Sequence, residues 1–180
     1  MPMVDYRLAT AEDAAAIGEL HVMSWRETYT GLLPQEMLAS LSADSRAAMW
    51  TVVLGAPARP NGTRVYVAES AAEMVGFGAC GGQRDETMRA RGFAGEFGAI
   101  YILRLQQGAG VGRALMTLMA RDLEARSMPS AGLWVLRENL GARGFYERLG
   151  GTIIIQREVA DGDTTLHEVA YGWPDLSPMI

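Results

Sequence analysis

Between residues 10 and 29 the chain sets Ile17, Leu20, His21, Ser24, Trp25 and Thr28 or Tyr29 at three- and four-residue steps. They therefore share one face of a predicted helix. Thr10 with Asp13 three residues on makes a variant capping box at its start, and Gly31 fits its C-terminal stop. The alternation in VDYRLA (4–9) predicts a strand ahead of it. GLLPQEML predicts a second short helix with Pro34 near its first position, and 42–54 a third, capped by Ser42 or Asp44. Residues 56–63, rich in proline and polar turn formers, read as a loop.

From residue 63 the apolar period shortens to that of strands. Segments 63–70 and 74–81 flank AAE and predict an antiparallel hairpin, and the stretch RDETMRARGFAG (84–95) predicts a polar, mobile connector. A strand over 96–103 leads into LQQGAGVGRALM (105–116) and a helix from about 111 to 126. A strand over 130–137 precedes a helix over 139–150, with Asn139 as N-cap and Gly150 as stop. Two last strands, 151–159 and 164–173, are joined by ADGD. No repeat, low-complexity tract or break in composition divides residues 1–180, so the expectation is a single α/β domain built on one mixed sheet with one parallel crossover.

Composition narrows the chemistry. A net charge of −5 argues against a bulk electrostatic grip on nucleic acid. All 16 basic residues are arginine, which excludes a lysine Schiff base and the lysine of a phosphate-binding P-loop. A single cysteine, Cys80, allows no internal disulfide, and two histidines, His21 and His167, with no CxxC or HExxH spacing, leave little for a metal. The N-terminal segment lacks the pattern of a signal peptide and no apolar run approaches the ~20 residues that span a bilayer. The expectation is a soluble cytoplasmic protein with no metal, nucleic-acid or membrane partner.

The run Gly108, Gly110, Gly112 lies between a strand and a helix. Such a turn aims several backbone N–H groups and the positive helix end at one spot, a seat for phosphate oxygens, each group worth about 0.3–1 kcal/mol. A tight structural turn is an equal reading of the glycines alone. The dinucleotide GxGxxG fails because Arg113 stands at its third glycine, and the P-loop fails for want of GK.

Gln107-Gly108-Ala109-Gly110-Val111-Gly112 resembles the Q/R-x-x-G-x-G/A signature of the GNAT superfamily of N-acetyltransferases. GEFGAIYIL resembles that family's fourth strand, and LWVLRENLGARGFYERLG its fifth strand and following helix. YRLATAEDAAAI and HVMSWRETYTGLLPQEML extend the likeness over nearly the whole chain, whereas Arg104-Leu105 departs from the Pro-Glu of many relatives. The resemblance implies a largely antiparallel sheet of about seven strands with helices on both faces and one splayed parallel pair. It implies transfer of an acetyl group from acetyl-CoA to a primary amine of a small molecule or peptide, in a possible homodimer. Alternatives are a non-catalytic acyl-CoA sensor and, among enzymes, a polyamine or antibiotic acetyltransferase.

The resemblance also implies roles. The backbone of Gln107 to Arg113 would cradle the pyrophosphate, with Gly108, Ala109, Gly110, Val111 and Gly112 between them, and Ile100 and Ile102 would offer backbone contacts to the pantetheine. An N–H near Ile102 or Leu103 would polarise the thioester carbonyl, Asn139 would contact the cofactor, and Tyr146 would donate a proton to the departing sulfur. Glu96 is the candidate base, acting through water, with Glu138 as an alternative. His21, Trp25 and Tyr29 lie where the family builds its acceptor wall, and the aromatic rings offer cation–π contact to an amine. Core packing accounts equally for the aromatic stripe, and helix capping for Asn139. Cys80 as an acyl carrier has no base readable beside it, and His167, alternating with apolar neighbours, reads as structural.

Overall fold

Seven strands form one sheet in the computed structural model, which describes residues 3–180. In chain order they are β1 (Val4–Leu8), β2 (Arg64–Ser70), β3 (Glu73–Gly82), β4 (Gly95–Ile102), β5 (Ala131–Leu136), β6 (Thr152–Asp161) and β7 (Thr164–Trp173). Their spatial order is β1-β2-β3-β4-β5-β7-β6, antiparallel throughout except for β4 with β5. The helices are α1 (Ala14–Tyr29), α2 (Gln35–Ala39), α3 (Ala43–Gly55), α4 (Glu86–Ala90), α5 (Val111–Ala125) and α6 (Leu140–Arg148). None of the described helices is long and apolar enough to cross a membrane.

The sheet is covered on both faces, which is why β3 is buried along nearly its whole length rather than at alternate positions. On one face Ile17 and Leu20 of α1 and Trp50 of α3 pack against Val65, Val67, Phe77 and Ala79, with Ala99 and Tyr101 of β4 joining them. The two helices touch closely because Gly18 has no side chain; a Cβ there would lie 2.6 Å from the Ala47 nitrogen. On the other face α5 buries Val111, Leu115, Met116, Met119 and Leu123, and Ile100 and Ile102 of β4 turn that way. The period-two alternation of β4 thus assigns its side chains to opposite layers.

Local signals act as expected at several ends. The Asp13 carboxylate accepts the Thr10 backbone N–H at 2.7 Å, Ser42 rather than Asp44 caps α3, and Gly31 and Gly150 stop their helices at φ +84° and +85°. One expectation fails. Residues 84–95 are not a mobile connector: Asp85 caps α4, whose Met88 is fully buried, and Phe93 follows it into the cluster with Ala170. Two apolar residues five apart in a polar stretch carry no periodic signal, and burial is set by their neighbours in space.

A buried ionic node ties this frame to its longest loop. Asp122 on α5, with its side chain 3% exposed, accepts from Arg126 at 2.7 Å, from Arg64 on β2 and from the Tyr66 hydroxyl at 3.2 Å. Arg126 continues to the carbonyls of Pro60 and Gly62. Burial alone would raise the Asp122 carboxyl, but hydrogen bonds from Arg126 and Arg64 outweigh it and hold it below the usual range. Replacing Asp122 by alanine strands Arg126 and should cost about 3 kcal/mol in urea unfolding; a loss under about 1 kcal/mol would refute the node. Because the folded carboxyl binds its proton less readily than the unfolded one, this contribution is present at neutral pH and lost as pH falls below about 4.

Candidate functional site

The parallel pair sets the site. β4 and β5 are in register only at Gly95 with Ala131 and Glu96 with Gly132, and beyond those positions they separate. A cavity of about 970 Å³ opens between them, lined by Phe97–Ile102 of β4 and Leu133–Leu136 of β5. The β4 backbone facing this gap has no strand partner. Leu103 N–H donates to the Val75 carbonyl at 3.0 Å, so by antiparallel alternation the N–H groups of Ile102 and Ile100 turn away from β3 and into the gap. Leu103 is therefore spent in the sheet and does not line the cavity, which corrects its assignment as a carbonyl-polarising donor.

At one side the cavity is walled by Gln107, Gly108, Gly110, Gly112 and Arg113, together with Arg104, Asn139 and Arg148. The three glycines serve different ends. Gly108 and Gly110 hold φ of +77° and +88°, with open space where a Cβ would be, so the loop needs left-handed backbone there. At Gly112 a Cβ would meet the Phe145 ring at 3.1 Å, so this glycine lets α5 and α6 approach. Gln107 donates its side-chain N–H to the Ile102 carbonyl at 3.0 Å, tying the loop to β4. Val111 is buried in the core and Ala109 stands outside the cavity wall, so only their backbones are on offer. Among the described residues no His, Cys, Asp and Glu side chains group as a metal would need.

Three tyrosines converge on the gap from different elements: Tyr29 at the end of α1, Tyr101 on β4 and Tyr146 on α6. Tyr146 is 7% exposed and its ring packs edge-on to Trp173 at 6.1 Å, with Phe145 beside it. Burial, reinforced by Tyr29 and Tyr101, pushes its phenol well above the ordinary value, so the group keeps its proton. Burial and Tyr101 do the same for Tyr29, whose hydroxyl lies beside the Asn139 amide. Asn139 also caps α6, its side-chain oxygen accepting Ala142 N–H at 3.1 Å. Tyr101, unnoticed in the sequence, accepts a hydrogen bond from the Trp25 indole N–H at 2.9 Å. Its strand position, opposite in phase to Ile100 and Ile102, was the signal available.

Trp25 and Tyr29 line the cavity, joined by Leu33, Met37, Leu166 and the buried Ser24. The Ser24 hydroxyl is 2% exposed and has no hydrogen-bond partner among the described residues, an omission that costs about 1–3 kcal/mol. His21 does not line the cavity: it turns into the core, its Nδ1 accepts the Trp50 indole N–H at 3.2 Å, and its ring lies 4.7 Å from Tyr101. The shared helix face continues past the cavity edge into the packed layer, so residues 21 and 25 part company. Glu96 is also placed outside the cavity wall; Arg84 grips both its oxygens, at 2.8 and 3.1 Å, and donates its backbone N–H as well. Glu138 is an exposed partner of Arg137. Cys80 is buried, and burial together with Asp122 raises its thiol far above the ordinary value, which leaves it unreactive.

Residues 16–151 match the profile of the acetyltransferase (GNAT) family. The uncharacterized N-acetyltransferase YuaI of Bacillus subtilis (strain 168) is 33% identical over 178 residues, covering 98% of this chain and 96% of that one. In fold the chain is similar to PaiA N-acetyltransferase from Thermoplasma acidophilum in complex with coenzyme A, with TM-score 0.72, 17% identity and coverage of 92% and 98%. It is similar also to yncA from Salmonella typhimurium with acetyl-CoA, with TM-score 0.68, 19% identity and coverage of 96% and 94%.

The inward turn of His21 has a measurable consequence. Burial, with the nearby Arg46 charge, lowers its imidazole from 6.5 to about 4. Between those values the unfolded chain takes up a proton that the folded chain refuses, so stability falls as pH drops through this window. In His21→Phe the loss of urea-unfolding free energy between pH 7 and 4 should be smaller than in the parent; an identical pH slope would contradict the neutral, buried imidazole.

Proposed function

The chain belongs to the GNAT family of acetyltransferases, and from that premise we propose that it moves an acetyl group from acetyl-CoA directly to a primary amine of a small molecule or peptide. The observation that carries the reading is the gap between β4 and β5: free N–H groups on one side, a left-handed glycine loop at one wall and a protonated tyrosine facing in, all on one cavity. These residues fit the cofactor. The open β4 edge offers the pantetheine amides a strand partner, and the loop with Arg104, Arg113 and Arg148 offers its phosphates backbone amides and positive charge.

Acetyl-CoA supplies the thioester: the amine nitrogen bonds to the acetyl carbon, the carbon–sulfur bond breaks, the nitrogen sheds a proton and the sulfur takes one. Each remaining role falls to this chain. The Ile102 N–H, facing the gap, is placed to polarise the carbonyl oxygen in place of Leu103. The Tyr146 hydroxyl, kept in its O–H form by burial, donates to the departing sulfur. The acceptor must arrive neutral, and an alkyl ammonium of pKa about 10.4 is neutral in only about one part in a few thousand at pH 7. Water in the cavity takes that proton, and Glu96 can serve it only by loosening its hold on Arg84.

Two substitutions test the cradle and the donor. Gly110→Glu sets a carboxylate on left-handed backbone at the proposed phosphate seat, and should weaken acetyl-CoA binding at least about 100-fold by calorimetry while circular dichroism stays native; unchanged affinity would remove the loop from the site. Tyr146→Phe should lower kcat by about 10²-fold or more with acetyl-CoA affinity within about threefold. Full turnover would take Tyr146 out of the mechanism, and a folded protein that binds acetyl-CoA but acetylates no amine would be a sensor.

A further inference from the structure

We propose that the acceptor is a monoamine with an apolar, aromatic-sized body, seated between α1, α2 and the β6–β7 hairpin, and not a polycation; this rests on the acetyltransferase reading above. The chamber on the α1 side of the gap is walled by Trp25, Tyr29, Leu33, Met37, Leu136 and Leu166. Such a wall recognises apolar surface, with a few polar points fixing orientation.

The charges around this chamber are largely spoken for. Three carboxylates reach the cavity, those of Glu27, Asp161 and Glu168. Glu27 accepts the Arg104 backbone N–H at 2.9 Å, and the Arg104 guanidinium bonds the Glu27 carbonyl. Glu168 is bound by Arg157 at 2.7 Å, and Arg157 is itself fixed by Asp85 at 2.7 Å and lies over the Trp134 ring at 3.7 Å. Asp161, on the hairpin, is without an ion pair among the described residues. Glu27 has no ion pair among them either, so two carboxylates, one of them already accepting a backbone N–H, are left for ammonium groups, fewer than a polyamine or aminoglycoside carries.

The aromatic wall is likewise engaged as a cation seat. Arg46 stands over the Trp25 ring at 5.8 Å, the Trp25 N–H is given to Tyr101, and Tyr29 packs its edge at 4.8 Å. An incoming multivalent cation would meet positive charge at Arg104 on the cavity wall and at Arg46 over the Trp25 ring. What the wall leaves open to a ligand is apolar contact, matching a single nitrogen on an apolar body.

The test is a panel at fixed acetyl-CoA, with release of free thiol as readout: phenethylamine and tryptamine against spermidine and kanamycin. Binding of acetyl-CoA is measured in parallel on the same protein. The expected result is a kcat/KM at least about tenfold higher for the arylalkylamines. Trp25→Ala should raise their KM about tenfold with acetyl-CoA affinity unchanged. Because Trp25 also supports Tyr101, Met37→Glu on the half-buried face of α2 gives an independent check: it should lower arylalkylamine turnover and raise that of spermidine. Acetyl-CoA binding with equal or better use of the polycations, or with no use of the arylalkylamines, overturns the proposal and leaves the cofactor reading standing. Failure to bind acetyl-CoA overturns both.

Discussion

Everything at the site follows from two strands that begin as partners and then part. Register between β4 and β5 is held at Gly95–Glu96 and Ala131–Gly132 and nowhere further along. The hold is steric. Gly132 leaves no room for a side chain because the Met88 methyl sits on it, and a Cβ on Gly95 would meet Leu123 at 3.0 Å. The β3–β4 register then shifts between Ala79 and Cys80, leaving Gly98 as the extra residue of a bulge just where the strands diverge. Phe97 packs edge-on to Trp173 at 5.5 Å on the α5 side. Unpaired backbone inside a protein is costly, so a gap of this kind persists where packing around it over-determines the path and a ligand or water completes the bonds.

The gap is bordered by neutral donors, with the charges held at its edges. Burial raises the phenols of Tyr29, Tyr101 and Tyr146; Tyr101 adds to the rise at Tyr29, and both add to it at Tyr146. The nearest histidine is kept neutral by burial. Carboxylates near the opening are spanned by arginines: Glu96 by Arg84 and Glu168 by Arg157. Hydrogen-bond donors that cannot ionise in the working range stabilise developing negative charge without competing for protons, which suits expulsion of a thiolate. On the proposed amine acetylation, the arrangement among the described residues leaves proton removal from the acceptor to water, and the low fraction of neutral amine would be the weak point of the chemistry.

Much of this was legible in the sequence because the signals are local. The strand–glycine–helix order, the amphipathic α5 and the Asn139 cap lie within short windows, and each forms where its pattern points. What escaped depends on contacts across the sheet. Met88 and Phe93 carry no period, yet α4 pins the start of the parallel pair. His21 and Trp25 share a helical face, but the cavity edge runs between them, and no one-dimensional pattern marks that edge. Glu96 looked free because its partner Arg84 lies 12 residues away on the neighbouring strand's exit. Gly112 looked like a third phosphate glycine, though its constraint comes from Phe145 on another helix.

The two halves of the cavity are mechanically joined through one aromatic column. Trp50 on α3 donates to His21, His21 lies against Tyr101, and Tyr101 receives the indole N–H of Trp25. Tyr101 is at once a rung of β4, whose backbone borders the gap, and a member of the wall on α1. A change in how α1 and α3 pack would therefore move the α1 wall of the cavity and the β4 edge together, and leave the glycine loop in place. If the acceptor and the thioester sit as proposed, their relative position is set by core packing as much as by contacts with the acceptor, and near-attack geometry tolerates little error.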